Sequence, residues 1–263
     1  MNSDSAFKIG NHEICQDYSF NIIINNKHYI IVSDGCSGSK NTDIGSRLLT
    51  LLAVRKIYNI NILPHPHDLI ISMLQAQLYF HIDNQNFDAT LLMASSDGKI
   101  YAQGDGVIVI YYPEYIELFI LNYSKGYPAY LSYLNDEDRF NQFSNVDQQY
   151  NIEKIVFDFN WNLISNEIIN HINTESFEYN CANNYKKIIL LSDGIFSFYK
   201  KIITETSNST EKINYLDILK NLLDFKSMSG KFVSRSLNAA EKNYNKNNIF
   251  HYDDISIAVI NQE

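Results

Sequence analysis

The chain has 263 residues, of which 45% are apolar and 13% aromatic, and a formal charge of −9. That composition supports a sizeable core and excludes wholesale disorder, and the acidic balance argues against a nucleic-acid binder, which carries a basic face. Three cysteines without a CxxC pair (Cys15, Cys36, Cys181), a polar start with no signal-like architecture, and no apolar run near the roughly 20 residues that span a bilayer lead us to expect a cytoplasmic protein without membrane partners.

In chain order, Phe20 to Ile24 and Tyr29 to Val32 are β-rich runs around Asn25-Asn26-Lys27, the pattern of a hairpin. A helical pattern follows Gly38, with Ile44, Leu48, Leu51, Leu52 and Val54 near a 3.6 period and Asn41 or Thr42 as N-cap. After Pro64 and Pro66, Ile70, Met73, Leu74 and Leu78 form the apolar stripe of a second helix. Ala89 to Ala94 and Ile100 to Gln103 flank Ser96-Asp97-Gly98, a hairpin turn. Val107 to Tyr112, Ile116 to Leu121 and Lys154 to Phe159 continue the β pattern, whereas Tyr123 to Tyr150 shows no clear period and reads as a long irregular excursion. Lys187 to Leu191 reads as a buried strand. Ser207 to Thr210 reads as a polar loop. Helical patterns follow through Leu216, Leu219, Leu222 and Leu223, then through Phe232, Val233, Leu237 and Ala240, and Ile255 to Ile260 is the last strand. With no repeat or linker, residues 1–263 are expected to form one domain, with two sheets covered outside by helix pairs.

Four acidic turns stand out: Gln16-Asp17, Asp34-Gly35, Asp193-Gly194 and Asp253-Asp254. Any one alone is ordinary turn chemistry, and Asp97-Gly98 keeps that reading. Five of the ten glycines (Gly35, Gly38, Gly104, Gly106 and Gly194) sit in acidic turns, where a backbone carbonyl can approach a ligand closely. Oxygen-only ligands assembled from distant segments select magnesium or manganese over zinc or copper. Such ions neutralise phosphate charge and acidify a bound water, which points to metal-dependent hydrolysis.

The chain resembles the metal-dependent protein phosphatase 2C family, in its bacterial-type branch. The matching residues are His12-Glu13-Ile14-Cys15-Gln16-Asp17, Val32-Ser33-Asp34-Gly35-Cys36-Ser37-Gly38-Ser39, Asp88-Ala89-Thr90-Leu91, Gln103-Gly104-Asp105-Gly106, Leu191-Ser192-Asp193-Gly194 and Asp253-Asp254-Ile255-Ser256-Ile257, in the family's order. The resemblance implies an α+β, four-layer αββα sandwich of two mostly antiparallel sheets with a metal centre between them. It implies two Mn2+ or Mg2+ ions, with a third, looser ion as a further candidate. Carried over, Asp34 bridges the two ions and the Gly35 carbonyl binds one of them, while Asp193 and Asp253 complete the other. Asp17 acts directly or through water, and Asp105 helps Asp193 hold the third ion. Asp254, where many relatives have asparagine, is a runner-up ligand that better suits a supporting place. The implied activity is hydrolysis of phosphoserine and phosphothreonine in proteins, with a cognate serine/threonine kinase as a further candidate partner. Asp34, Asp17 and His12 are the candidate catalytic residues.

Two departures weaken the expected substrate grip. His12 stands where many relatives clamp phosphate with an arginine, and it lacks the bidentate fork. Cys36 stands where some relatives carry a histidine proposed as proton donor. A catalytically weak binding module of the same fold, and a phosphatase of small metabolites, are therefore the alternatives. Gly35 to Lys40 does not match a nucleotide-binding loop, and His65-Pro66-His67-Asp68 reads as a capped helix start rather than a metal cluster.

Overall fold

The computed structural model describes residues 1–126, 128–146, 149–172, 174–181, 184–203 and 208–262. Its strands are β1 (Asn2–Lys8), β2 (Tyr18–Ile24), β3 (Lys27–Ser33), β4 (Leu91–Ser95), β5 (Lys99–Gln103), β6 (Gly106–Tyr111), β7 (Ile116–Tyr123), β8 (Tyr150–Phe157), β9 (Leu163–His171), β10 (Phe177–Asn180), β11 (Lys187–Leu191), β12 (Phe198–Ile203), β13 (Asn208–Lys212), β14 (Ile249–His251) and β15 (Ile255–Asn261). The helices are α1 (Thr42–Ile60), α2 (Ile70–Phe80), α3 (Glu137–Ser144), α4 (Tyr215–Leu222) and α5 (Phe232–Lys246). A seven-stranded sheet runs β1-β15-β11-β6-β7-β8-β9, a five-stranded sheet runs β10-β5-β4-β3-β2, and β13-β12-β14 form a small third sheet.

Strand alternation builds the layers. In β3, Ile30 and Val32 face the core between the two large sheets, while Tyr29 and Ile31 face α1 and α2. In β11, Ile188 and Leu190 point into that same inner core, and Ile189 and Leu191 pack with Leu219, Leu222 and Val233 of α4 and α5. Near-continuous apolar runs thus serve two cores at once, as strands covered on both faces require. The result is the expected four-layer αββα sandwich with antiparallel pairing throughout both large sheets. The β2–β3 hairpin turns at Asn25 and Asn26, both with positive φ (48° and 61°), as a tight two-residue turn demands.

Several expectations need correction. In α1 the buried face is Gly45, Leu49, Ala53 and Ile57, while Ile44 and Leu51 are 43% and 47% exposed. The helix lies so close to residues 84–87 that a Cβ on Gly45 would stand 1.5 Å from the Asn86 carbonyl oxygen, so small residues define the contact face. In α2, Met73 and Ala76 are buried and Leu78 is 77% exposed. The excursion after Tyr123 contains α3, whose N-cap is Asp136 accepting from the Arg139 amide at 3.1 Å. Ser207 lies outside the described residues, and Ser209 and Thr210 belong to β13 rather than to a loop. β1, β9 and β10 do not stand out in the sequence: β1 is largely polar, β9 is exposed along nearly its whole length and β10 spans four residues. Asp97-Gly98 is the expected hairpin turn, and His65 to Asp68 form a capped helical start in which the His65 ring accepts from the His67 amide.

Candidate metal centre

The acids gather because the strand ends that carry them coincide. β3 and β11 end, and β2, β6 and β15 begin, at one end of the sandwich. Asp34 follows β3 and is pinned to the next strand segment: the Thr90 amide donates to the Asp34 carbonyl at 2.8 Å, and the Asp34 amide donates to Thr90 Oγ1 at 3.1 Å. Gly35 bridges Ala89. Asp105 sits in the turn that carries the chain from β5 in one sheet to β6 in the other. Asp193 opens the turn after β11, and Asp253 precedes β15. These two segments lie against each other so tightly that a Cβ on Gly194 would meet the Asp254 carbonyl oxygen at 1.8 Å.

Asp34, Gly35, Asp105, Asp193 and Asp253 line one cavity of about 170 Å³, together with Cys36, Ser37, Thr90, Gly126, Pro128 and Tyr130. Asp17 lies outside that lining and is fully buried, with its Oδ2 accepting from Ser192 Oγ at 2.6 Å. Its Oδ1 is buried without a hydrogen-bond partner. Burial pushes the Asp17 carboxyl up to about 7. Burial, then the Asp17 and Asp193 charges, hold Asp34 well above the usual carboxylate range. Asp105 is raised well above that range by burial and then by Asp193 and Asp253, and Asp193 and Asp253 are raised chiefly by burial.

Among the described residues no Lys, Arg or His side chain lines this cavity. Nor are three His, Cys, Asp or Glu side chains among them drawn into a ready-made metal cage. The arrangement is a cluster of acids, in which Asp17 accepts from Ser192 and Asp253 Oδ1 from the Asp254 amide at 2.9 Å. An orphaned carboxylate oxygen, carboxyls raised chiefly by burial and an all-oxygen donor set fit hard divalent cations.

The remaining candidates occupy different places. His12 does not line the cavity; its Nδ1 is 3.7 Å from Asp254 Oδ2. Asp254 is 1% exposed and holds the preceding segment, with Oδ1 accepting from the Gly10 amide at 2.7 Å and Oδ2 from the Gln16 amide at 2.6 Å. Cys15 and Cys36 are half-buried, and burial pushes the Cys15 thiol up to about 12, which keeps it protonated at neutral pH. Sequence reasoning gave no role to Ser192, which ties Asp17 to the opposite sheet and whose only signal is its place before Asp193. Tyr130 falls in the tyrosine-rich stretch Tyr123 to Tyr133, whose sequence suggests a partner-peptide surface or an aromatic satellite core and gives no link to the acids.

The profile of the family described as Protein phosphatase 2C matches residues 6–240. A bacterial serine phosphatase bearing an arginine-to-lysine mutation matches the structure with a TM-score of 0.56 at 13% identity, covering 100% of this chain and 98% of that one. Serine/threonine phosphatase Stp1 from Staphylococcus aureus matches with a TM-score of 0.53 at 14% identity, covering 100% and 96%. At these identities the likeness is one of fold. No curated protein matches the sequence.

Proposed function

Since this chain belongs to the protein phosphatase 2C family, we propose that it is a manganese- or magnesium-dependent serine/threonine protein phosphatase, with residues 1–263 acting as one catalytic domain. The carrying observation is the convergence of Asp34, Gly35, Asp105, Asp193 and Asp253 on one cavity, with Asp17 buried beside Asp34. Two divalent ions bound there would supply positive charge against a phosphate and acidify a water.

Asp34, which interacts with both Asp17 and Asp193, would hold the ions with them. The Gly35 carbonyl would be the backbone ligand beside it. Asp193, beside Asp34, and Asp253 would hold the other ion, and Asp105, which feels both of their charges, would help Asp193 hold a third, looser ion. Asp17 holds its place through Ser192 and presents its free oxygen. The Asp254 amide donates to Asp253 Oδ1 at 2.9 Å, while the Asp254 carboxylate anchors Gly10 and Gln16. Tyr130 and Pro128 line the cavity beside the acids.

A phosphorylated protein in the cytoplasm is the substrate class proposed, with a serine/threonine kinase as counterpart. No described helix is long and apolar enough to cross a membrane. One observation favours the weaker alternative, a phosphate-binding module with little turnover: among the described residues the cavity lining holds no cationic side chain, and His12 faces Asp254 instead.

The test is hydrolysis of p-nitrophenyl phosphate, a phosphothreonine peptide and a panel of phosphorylated metabolites, with and without manganese, by wild type and Asp34→Asn. We expect manganese-stimulated peptide turnover that Asp34→Asn loses. Folded wild type without such turnover refutes the phosphatase reading, binding without turnover selects the module, and faster turnover of a metabolite redirects the substrate class.

A further inference from the structure

Asp88 is 1% exposed, yet it receives a dense set of donors from three separate segments. Its Oδ1 accepts from Ser132 Oγ at 2.6 Å, and its Oδ2 accepts from Ser39 Oγ at 2.6 Å and from Arg139 Nη2 at 2.6 Å. Its backbone carbonyl accepts from the Cys36 amide at 2.8 Å, one residue beyond Gly35. Arg139 is the ion-pair partner of Asp88 among the described residues, and its guanidinium lies 4.5 Å over the Tyr133 ring.

These contacts join the loop that carries Asp34 and Gly35 to the excursion after β7. That excursion supplies Gly126, Pro128 and Tyr130 to the cavity wall, and the Tyr133 amide donates to the Tyr130 carbonyl at 3.1 Å. Removing one partner of a buried charge pair is strongly destabilising, so Arg139 decides how firmly Asp88 is held where both segments need it. Hydrogen-bonded supports of this kind orient the groups that contact a metal or substrate.

We propose that Arg139 is a positioning residue for the carboxylate cavity: through Asp88 it fixes the wall formed by residues 128–139 against the loop of residues 35–39. This rests on reading that cavity as the metal and phosphate site.

The experiment compares wild type, Arg139→Met, Arg139→Lys, Ser132→Ala and Gln142→Ala, the last an exposed position on the same helix. Manganese affinity is measured by calorimetry, KM and kcat on p-nitrophenyl phosphate, and amide exchange at 34–39 and 128–139. Arg139→Met should weaken manganese binding and raise KM by about 10- to 100-fold, with a smaller change in kcat and faster exchange in both segments. Arg139→Lys, which can still donate to Asp88, should recover most of the loss, and Gln142→Ala should match wild type. Ser132→Ala, which removes one donor and keeps the charge pair, should shift the same readouts in the same direction by a smaller factor, and it carries the test if Arg139→Met does not fold. Wild-type metal affinity and exchange in Arg139→Met, or in Ser132→Ala where Arg139→Met does not fold, overturns the proposal; so does equal loss in the Met and Lys variants. If wild type has no turnover, the phosphatase reading falls, while the exchange readout still decides whether Arg139 links the two segments.

Discussion

Asp17→Asn tests the electrostatics of the acid rim directly. Asp17 is fully buried, and burial moves its carboxyl from the ordinary 3.8 to about 7. That difference makes ionising Asp17 about 4 kcal/mol more costly in the folded chain than in the unfolded one. The folded state holds this proton more tightly. Its stabilising contribution is therefore fully present below the unfolded value, declines as pH rises, and is lost once pH passes about 7. For 263 residues, with about 2.1 cal/mol/K of unfolding entropy each, 4 kcal/mol corresponds to about 7 °C in Tm. Asparagine keeps an acceptor for Ser192 Oγ and has no proton to lose. Scanning calorimetry in chelator from about pH 4 to about pH 7.5 should then show the wild-type Tm falling relative to Asp17→Asn by about 7 °C. Manganese should restore wild type more at the upper end of that range than at the lower, because the ionised carboxylates are what it binds. Parallel Tm profiles for the two proteins would refute the reasoning.

Two further substitutions probe the scaffold under the rim. Gly194→Ala drives a methyl into the Asp254 carbonyl, 1.8 Å away, so the Asp193 and Asp253 segments must separate; we expect a cost of about 1–3 kcal/mol in chemical denaturation together with weaker manganese binding in calorimetry. Asp254→Asn leaves one of the Gly10 and Gln16 amides without its charged acceptor, which should cost about 1.5–3 kcal/mol. Faster amide exchange across residues 10–17 should accompany that loss, and unchanged exchange there would show that Asp254 does not anchor the segment.

Much of the architecture was legible because it is local. Runs such as Lys187 to Leu191 and Tyr29 to Val32 declare strands covered on both faces, and Asn25-Asn26 and Asp97-Gly98 declare their turns. The acids at strand ends were legible too, since a carboxylate beside glycine at the end of an apolar run has little use in a core. Helix orientation was not: α1 packs on Gly45 and Ala53, because close approach to residues 84–87 outweighs the larger apolar area of Ile44 and Leu51. The polar β1 is a strand only because it pairs with β15 at the sheet edge, and its buried Asp4 accepts from the Val233 amide at 2.7 Å, at the start of α5.

The sequence alone determined that this chain carries acids at strand ends in the order of a known family, since each acid, its glycine and its flanking strand are neighbours in the chain. Only the tertiary structure decided how they divide the work. It put Asp34, Asp105, Asp193 and Asp253 on one cavity, turned Asp254 and His12 towards each other, and brought Arg139 onto Asp88. Those choices depend on contacts between residues 51 to 244 positions apart, and charge balance across such distances exists only once the sheets have closed.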